Sequence, residues 1–84
     1  MDRREICEKI KDIINTTFKG EVDTSVITEE TDLINELGVT SIEGIEILVR
    51  TESEFEIEID DDDLTVDLLK TVATLAGYVE ERLG

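Results

Sequence analysis

A chain of 84 residues carrying 23 acidic and 8 basic side chains, net charge −15, is long enough for one small domain with a single core and too short for two. Its apolar share of 39%, with two Phe and one Tyr as the whole aromatic content, implies a core filled by Ile, Leu and Val and excludes wholesale disorder. The absence of histidine removes Ser-His and Cys-His nucleophilic catalysis, and a single cysteine, Cys7, excludes an internal disulfide and a cysteine-based zinc site.

The charge is unevenly spread. Arg3, Arg4, Lys9, Lys11 and Lys19 lie in the first twenty positions, and from Glu21 onward the chain is almost purely anionic. Such a field repels nucleic acid and anionic membrane and attracts proteins with Lys/Arg patches; solubility alone accounts for the same charge about equally well. No apolar run approaches membrane-spanning length and the start MDRREIC lacks the apolar stretch of a secretory signal, so a soluble, cytoplasmic protein is expected.

From Asp2 to Phe18, Ile6, Ile10, Ile13, Ile14 and Phe18 recur at the spacing of an amphipathic helix, with Cys7 as a small core residue and Gly20 as the stop. Residues 21–39 show no sustained period. Val26, Ile27, Leu33, Ile34 and Leu37 are expected to pin a long ordered loop to the core, and a loop of this length in a small domain usually has a function.

At Thr40 the signals for a second helix converge. Gly38 ends the preceding turn, Thr40 and Glu43 form a capping box, and Ser41 falls at the first helical position. The helix is predicted to reach Phe55, with Gly44, Ile45, Ile47, Leu48, Thr51 and Phe55 on the core side. Residues 55–59 alternate with period two but have no strand to pair with, which makes them an extended connector that lowers Ile57 and Ile59 into the core. Asp60 to Asp63 lacks the spacing of a calcium loop and reads as a solvated helix start. Leu64 to Lys70 is predicted as a short third helix, and Thr71 as the cap of a last helix over 72–83 with Val72, Leu75, Ala76, Val79 and Leu83 inward.

Two features at the second helix stand out. Ile42 and Val49, seven residues apart, form a line beside the core face, flanked by Glu46, Glu52 and Ser53. Isolated surface aliphatics are ordinary, yet this pair in an acidic surround also describes a docking surface, apolar at its centre and selective for a basic partner. Ser41 is equally open: serine is common in the first turn of a helix, while free N–H groups and the positive end of the helix dipole there favour an anion, such as a phosphodiester on the serine oxygen.

The run Leu37-Gly38-Val39-Thr40-Ser41-Ile42-Glu43, followed by Glu46-Ile47 and by 54–59 (EFEIEI), resembles the acyl carrier protein family, whose modified serine lies in a Leu-Gly-x-Asp-Ser-Leu motif before an acidic helix. Ile27-Thr28, Thr31-Asp32-Leu33 and Lys70-Thr71-Val72 extend the resemblance over nearly the whole chain. It implies an all-α four-helix bundle with a long first loop and a short third helix, one carrier domain over 1–84, monomeric and not an enzyme. It further implies that a phosphopantetheinyl transferase attaches 4′-phosphopantetheine from coenzyme A to Ser41, that the arm carries acyl groups as thioesters, and that acyl-transferring or condensing enzymes with basic patches dock on Ser41, Ile42, Glu46, Val49, Glu52 and Ser53.

The chain departs from the family in five places. Thr40 replaces the usual Asp, Ile42 replaces Leu, Arg50 adds a positive charge to the second helix, Glu56 stands where Gly is common and Asp60 where Pro is common; together they suggest a specialised carrier rather than the housekeeping one for fatty acid synthesis, delivering acyl groups to enzymes of fatty acid, polyketide or related biosynthesis. Two further readings use the same residues: a carrier-like module never modified at Ser41, and an acidic mimic of nucleic acid that blocks a basic site.

Overall fold

The computed structural model of the chain describes residues 2–83 and, at Val66, the backbone alone. Three α-helices carry the described part: α1 (Arg3–Thr17), α2 (Ser41–Phe55) and α3 (Val72–Leu83). The Asp2 carboxylate starts α1 by accepting from the Glu5 N–H at 2.9 Å. Ile6, Cys7, Ile10, Ile13, Ile14 and Thr17 form its buried stripe, and α1 lies against both other helices. The chain leaves α1 through left-handed Lys19 (φ 56°) and Gly20 (φ 78°), so the predicted stop at Gly20 holds.

The long loop is ordered by its own side chains. The Asp32 carboxylate accepts from the Ile34 and Asn35 amides at 3.0 and 2.9 Å and from the Asn35 side chain at 2.8 Å. These bonds, those from Asn35 above all, hold its carboxyl below the usual carboxylate range. Ile27 and Leu33 are buried, Ile34 and Leu37 half-buried. Val26 is not a pin: at the end of a 3-10 turn over Thr24–Val26 it stands 64% exposed. Arg3 ties the loop to the helices, bonding Glu29 at 2.8 Å, Glu80, and the Ala73 carbonyl at 3.2 Å.

Of the predicted connector, Phe55 still belongs to α2, Glu56 turns left-handed (φ 53°, ψ 45°) and residues 57–59 form neither helix nor strand; Phe55 and Ile59 are buried, Ile57 half-buried and Glu56 and Glu58 exposed. The predicted short third α-helix is absent. In its place stand two 3-10 turns, Asp61–Asp63 and Val66–Leu69. Leu64 (φ −76°, ψ 64°) and Thr65 (φ −130°, ψ 167°) both leave helical geometry between them. Four successive aspartates repel one another, and the Thr65 hydroxyl bonds the Asp67 amide at 3.3 Å, a local bond that competes with a continuous helix. Among the described residues the architecture is therefore all-helical, with three α-helices and short 3-10 turns where the fourth is expected.

Thr71 caps α3 as predicted, its hydroxyl accepting from the Thr74 amide at 3.1 Å. Val72, Leu75, Ala76 and Val79 face the core, but Leu83 is 41% exposed. Glu80, Glu81 and Arg82 before it are exposed as well, so the last turn runs beyond the core. No helix among the described residues is long and apolar enough to cross a membrane.

Candidate functional site

Ser41 is the first residue of α2 and is exposed. Just outside it, Thr40 is extended (φ −82°, ψ 170°); its hydroxyl oxygen accepts from the Glu43 amide at 3.2 Å, and the Glu43 carboxylate accepts from the Thr40 amide at 3.1 Å. Both halves of the capping box are thus closed. Gly38 turns the loop into this position with φ 70°, a left-handed conformation glycine adopts at little cost. The amides of Ser41 and Ile42, at the first two helical positions, have no acceptor within the helix, so the serine oxygen sits where N–H groups and the helix dipole both favour negative charge. The site fits a phosphodiester: its hydroxyl is open to solvent and the donors beside it are free of the helix ladder.

The core face of α2 is Gly44, Ile47, Leu48, Thr51 and Phe55, as predicted except at Ile45. That residue is 58% exposed, beside Ile42 at 82% and Val49 at 52%. It lies 100° round the helix from Gly44 and borders an open cavity that it shares with Leu64 and Leu69 instead of packing into the core. Residues 42, 45 and 49 have the i, i+3, i+7 spacing of one continuous helical stripe, so sequence reasoning placed two of its three members and missed the third, although the spacing was legible.

Glu46 and Ser53 are exposed beside the stripe, and Glu46 lies 3.6 Å from Arg50. Glu52 is differently employed. Half-buried, its carboxylate accepts from the Ile59 amide at 2.8 Å, which fastens the connector to α2; its expected role as an exposed guide is thereby shared with a structural one.

An apolar cavity of about 270 Å³ opens beside Ser41. Thr40, Ser41 and Thr65 form its polar rim, and Ile34, Val39, Gly44, Ile45, Leu48, Leu64 and Leu69 its walls. Cys7 lies elsewhere, on α1, where burial pushes its thiol up from the ordinary range, in keeping with its expected place in the core.

Residues 4–79 match the protein family described as the phosphopantetheine attachment site. Over 82 residues the chain is 40% identical to the acyl carrier protein of Thermotoga maritima, covering 98% of this chain and 96% of that one. The chain belongs to the acyl carrier protein family. It is also 39% identical to the acyl carrier protein of Lactobacillus acidophilus over the whole of both chains. Among solved structures, the acyl carrier protein of Enterococcus faecalis superposes with a TM-score of 0.74 at 27% identity, covering 98% of this chain and 99% of that one.

An acyl carrier protein carries acyl groups on a 4′-phosphopantetheine arm and is a carrier rather than a catalyst. Within this family the departure at Thr40 acquires a structural meaning. Thr and Asp are both effective N-caps, so Thr40 keeps the architecture of the α2 start while omitting a charge next to Ser41.

Proposed function

We propose that the Ser41 oxygen is the attachment atom for 4′-phosphopantetheine and that α2 is the surface by which partner enzymes recognise the carrier. The observation that carries this reading is the exposed hydroxyl at the amide-rich start of α2, next to the only aliphatic stripe that α2 leaves uncovered among the described residues. In the transfer, the Ser41 oxygen attacks the phosphorus of coenzyme A that bears the pantetheine. A new phosphoester bond forms, the pyrophosphate bond breaks, adenosine 3′,5′-bisphosphate leaves, and the hydroxyl proton passes to a base on the phosphopantetheinyl transferase. When bound, the arm supplies a thiol that holds acyl groups as thioesters. The Ser41 and Ile42 amides would hold the phosphodiester, and Thr40 and Glu43 keep the first turn wound so that those amides stay available to it.

Partner docking uses Ile42 and Val49, with Ile45 exposed beside them, as the apolar contact. Glu46 and Glu52 act as electrostatic guides and Ser53 as a flanking polar contact. Their partners are a phosphopantetheinyl transferase and acyl-transferring or condensing enzymes with basic patches, in fatty acid, polyketide or related biosynthesis. The carrier works as one cytoplasmic, monomeric domain over 1–84. Incubation with coenzyme A, magnesium and a broad-specificity phosphopantetheinyl transferase, followed by intact mass measurement, tests the attachment. The protein gains the mass of one phosphopantetheine and Ser41→Ala does not; no gain with several transferases instead supports the unmodified module.

A further inference from the structure

Arg50 is the one basic residue on α2, whose sequence otherwise carries Glu43, Glu46, Glu52 and Glu54. It is exposed and loosely held: its guanidinium lies 3.6 Å from the Glu46 carboxylate, beyond the usual N–H···O range. Arg3 and Arg82 are committed by comparison. Arg3 bonds Glu29, Glu80 and the Ala73 carbonyl, and Arg82 bonds Asp60 at 2.7 Å while lying over the Tyr78 ring. The Arg50 fork is left open to an acceptor from outside the chain.

Its position ties it to the docking face. Arg50 follows Val49, the last member of the exposed aliphatic stripe, and stands one turn beyond Glu46, about 6 Å along the axis and about 40° round it. There it lines an open groove of about 240 Å³ with Asp12, Ile13 and Thr16 of α1 and Ser53 and Glu54 of α2. Glu54 is held by Lys9 at 3.3 Å. Two carboxylates, Asp12 and Glu54, are thus balanced by Lys9 and Arg50, and this flank is near neutral on a chain of net charge −15.

A partner that covers Val49 also takes water from Arg50. A cation placed opposite would meet like charge, and an apolar group would leave the guanidinium donors unmet; both are unfavourable in a desolvated contact. A carboxylate meets the fork with two parallel bonds, and by drawing Arg50 off Glu46 it frees Glu46 for a cation. We infer that the partner fitting α2 presents a reversed ion pair, a carboxylate to Arg50 beside a Lys or Arg to Glu46, and that Arg50 rejects an unbroken basic patch. This rests on the docking reading of α2 and adds the charge pattern of the partner to it.

The test is a charge-swap cycle on the full chain. The probe is a broad-specificity phosphopantetheinyl transferase with a basic carrier site, its surface Lys and Arg residues changed to Glu one at a time, and the readout is kcat/KM for loading. With the unchanged transferase, Arg50→Gln raises kcat/KM about three-fold and Arg50→Glu about ten-fold. Arg4→Glu, the same change of charge on an exposed α1 residue, has a smaller effect. One transferase variant, with its new carboxylate opposite Arg50, loads the wild type about five-fold faster than the unchanged enzyme does and loads Arg50→Glu more slowly. Should no transferase variant invert the preference in this way, or should Arg50→Glu and Arg4→Glu act alike, the inference is overturned while α2 docking stands. Failure of the docking reading shows separately: Ile42→Asp and Glu46→Lys then load as fast as the wild type, and this inference falls with it.

Discussion

Replacing Thr40 by valine keeps the β-branched shape and removes only the acceptor that closes the start of α2. The bond lost, from the Glu43 amide to the Thr40 hydroxyl at 3.2 Å, lies at the long end of the N–H···O range, the bond from the Thr40 amide to Glu43 remains, and Thr40 is exposed, so water replaces part of what is lost. The cost therefore falls in the lower part of the N-cap range, about 0.5–1 kcal/mol, and for a domain of this size Tm drops by about 2–8 °C. Thr40→Asp retains the acceptor and adds a charge that the helix dipole favours, worth about 0.3–1 kcal/mol before repulsion from neighbouring carboxylates, so its Tm stays near or above the wild type. Thermal unfolding followed by circular dichroism reads both. Thr40→Val melting with the wild type, or Thr40→Asp melting with Thr40→Val, refutes the view that an oxygen acceptor at position 40 organises the start of α2.

Charge reversal at Glu46 lowers kcat/KM for the phosphopantetheinyl transferase by roughly an order of magnitude at low salt and less at high salt; an equal loss from Glu8→Lys on the exposed face of α1 contradicts α2 docking. Glu56 holds a left-handed C-cap (φ 53°, ψ 45°), a conformation that costs a non-glycine residue about 1–2 kcal/mol, part of which glycine loses again to its freer unfolded chain. Glu56→Gly accordingly stabilises by about 0.5–1 kcal/mol in urea unfolding, and a destabilised variant refutes the strain. Cys7 is buried and its thiol is pushed up by burial, so under native conditions a maleimide labels it slowly in the apo protein, whereas the protein bearing the unacylated arm shows one fast thiol belonging to the arm; fast labelling of the apo protein refutes its place in the core.

The parts of the fold written in local chemistry were legible. The stripe of α1, the capping box at Thr40 and Glu43, the left-handed turns at Gly20 and Gly38 and the cap at Thr71 each need only a few neighbouring residues. The misreadings involve what covers a residue, which periodicity does not contain. Ile45 is as aliphatic as Ile47, and only the open cavity on its side of α2 leaves it exposed. Leu83 continues the period of α3 past the end of the core. Leu64 to Lys70 has apolar residues enough for a helix, but the like charges before it and the cap at Thr65 divide it into turns. Glu52 looks like any surface carboxylate until the connector brings the Ile59 amide to it from seven residues away. The cavity beside Ser41 joins the loop, α2 and the turn at 66–69, which no one stretch of the sequence contains.

Fragmentation mass spectrometry of the purified, transferase-treated protein tests the central claim most directly, because it reports the residue that bears the arm. The account predicts phosphopantetheine on the peptide containing Ser41, with the fragment series breaking at Ser41 itself. An arm found on Thr40, Ser25 or Ser53, or a Ser41→Ala chain that still takes up the same mass, contradicts it.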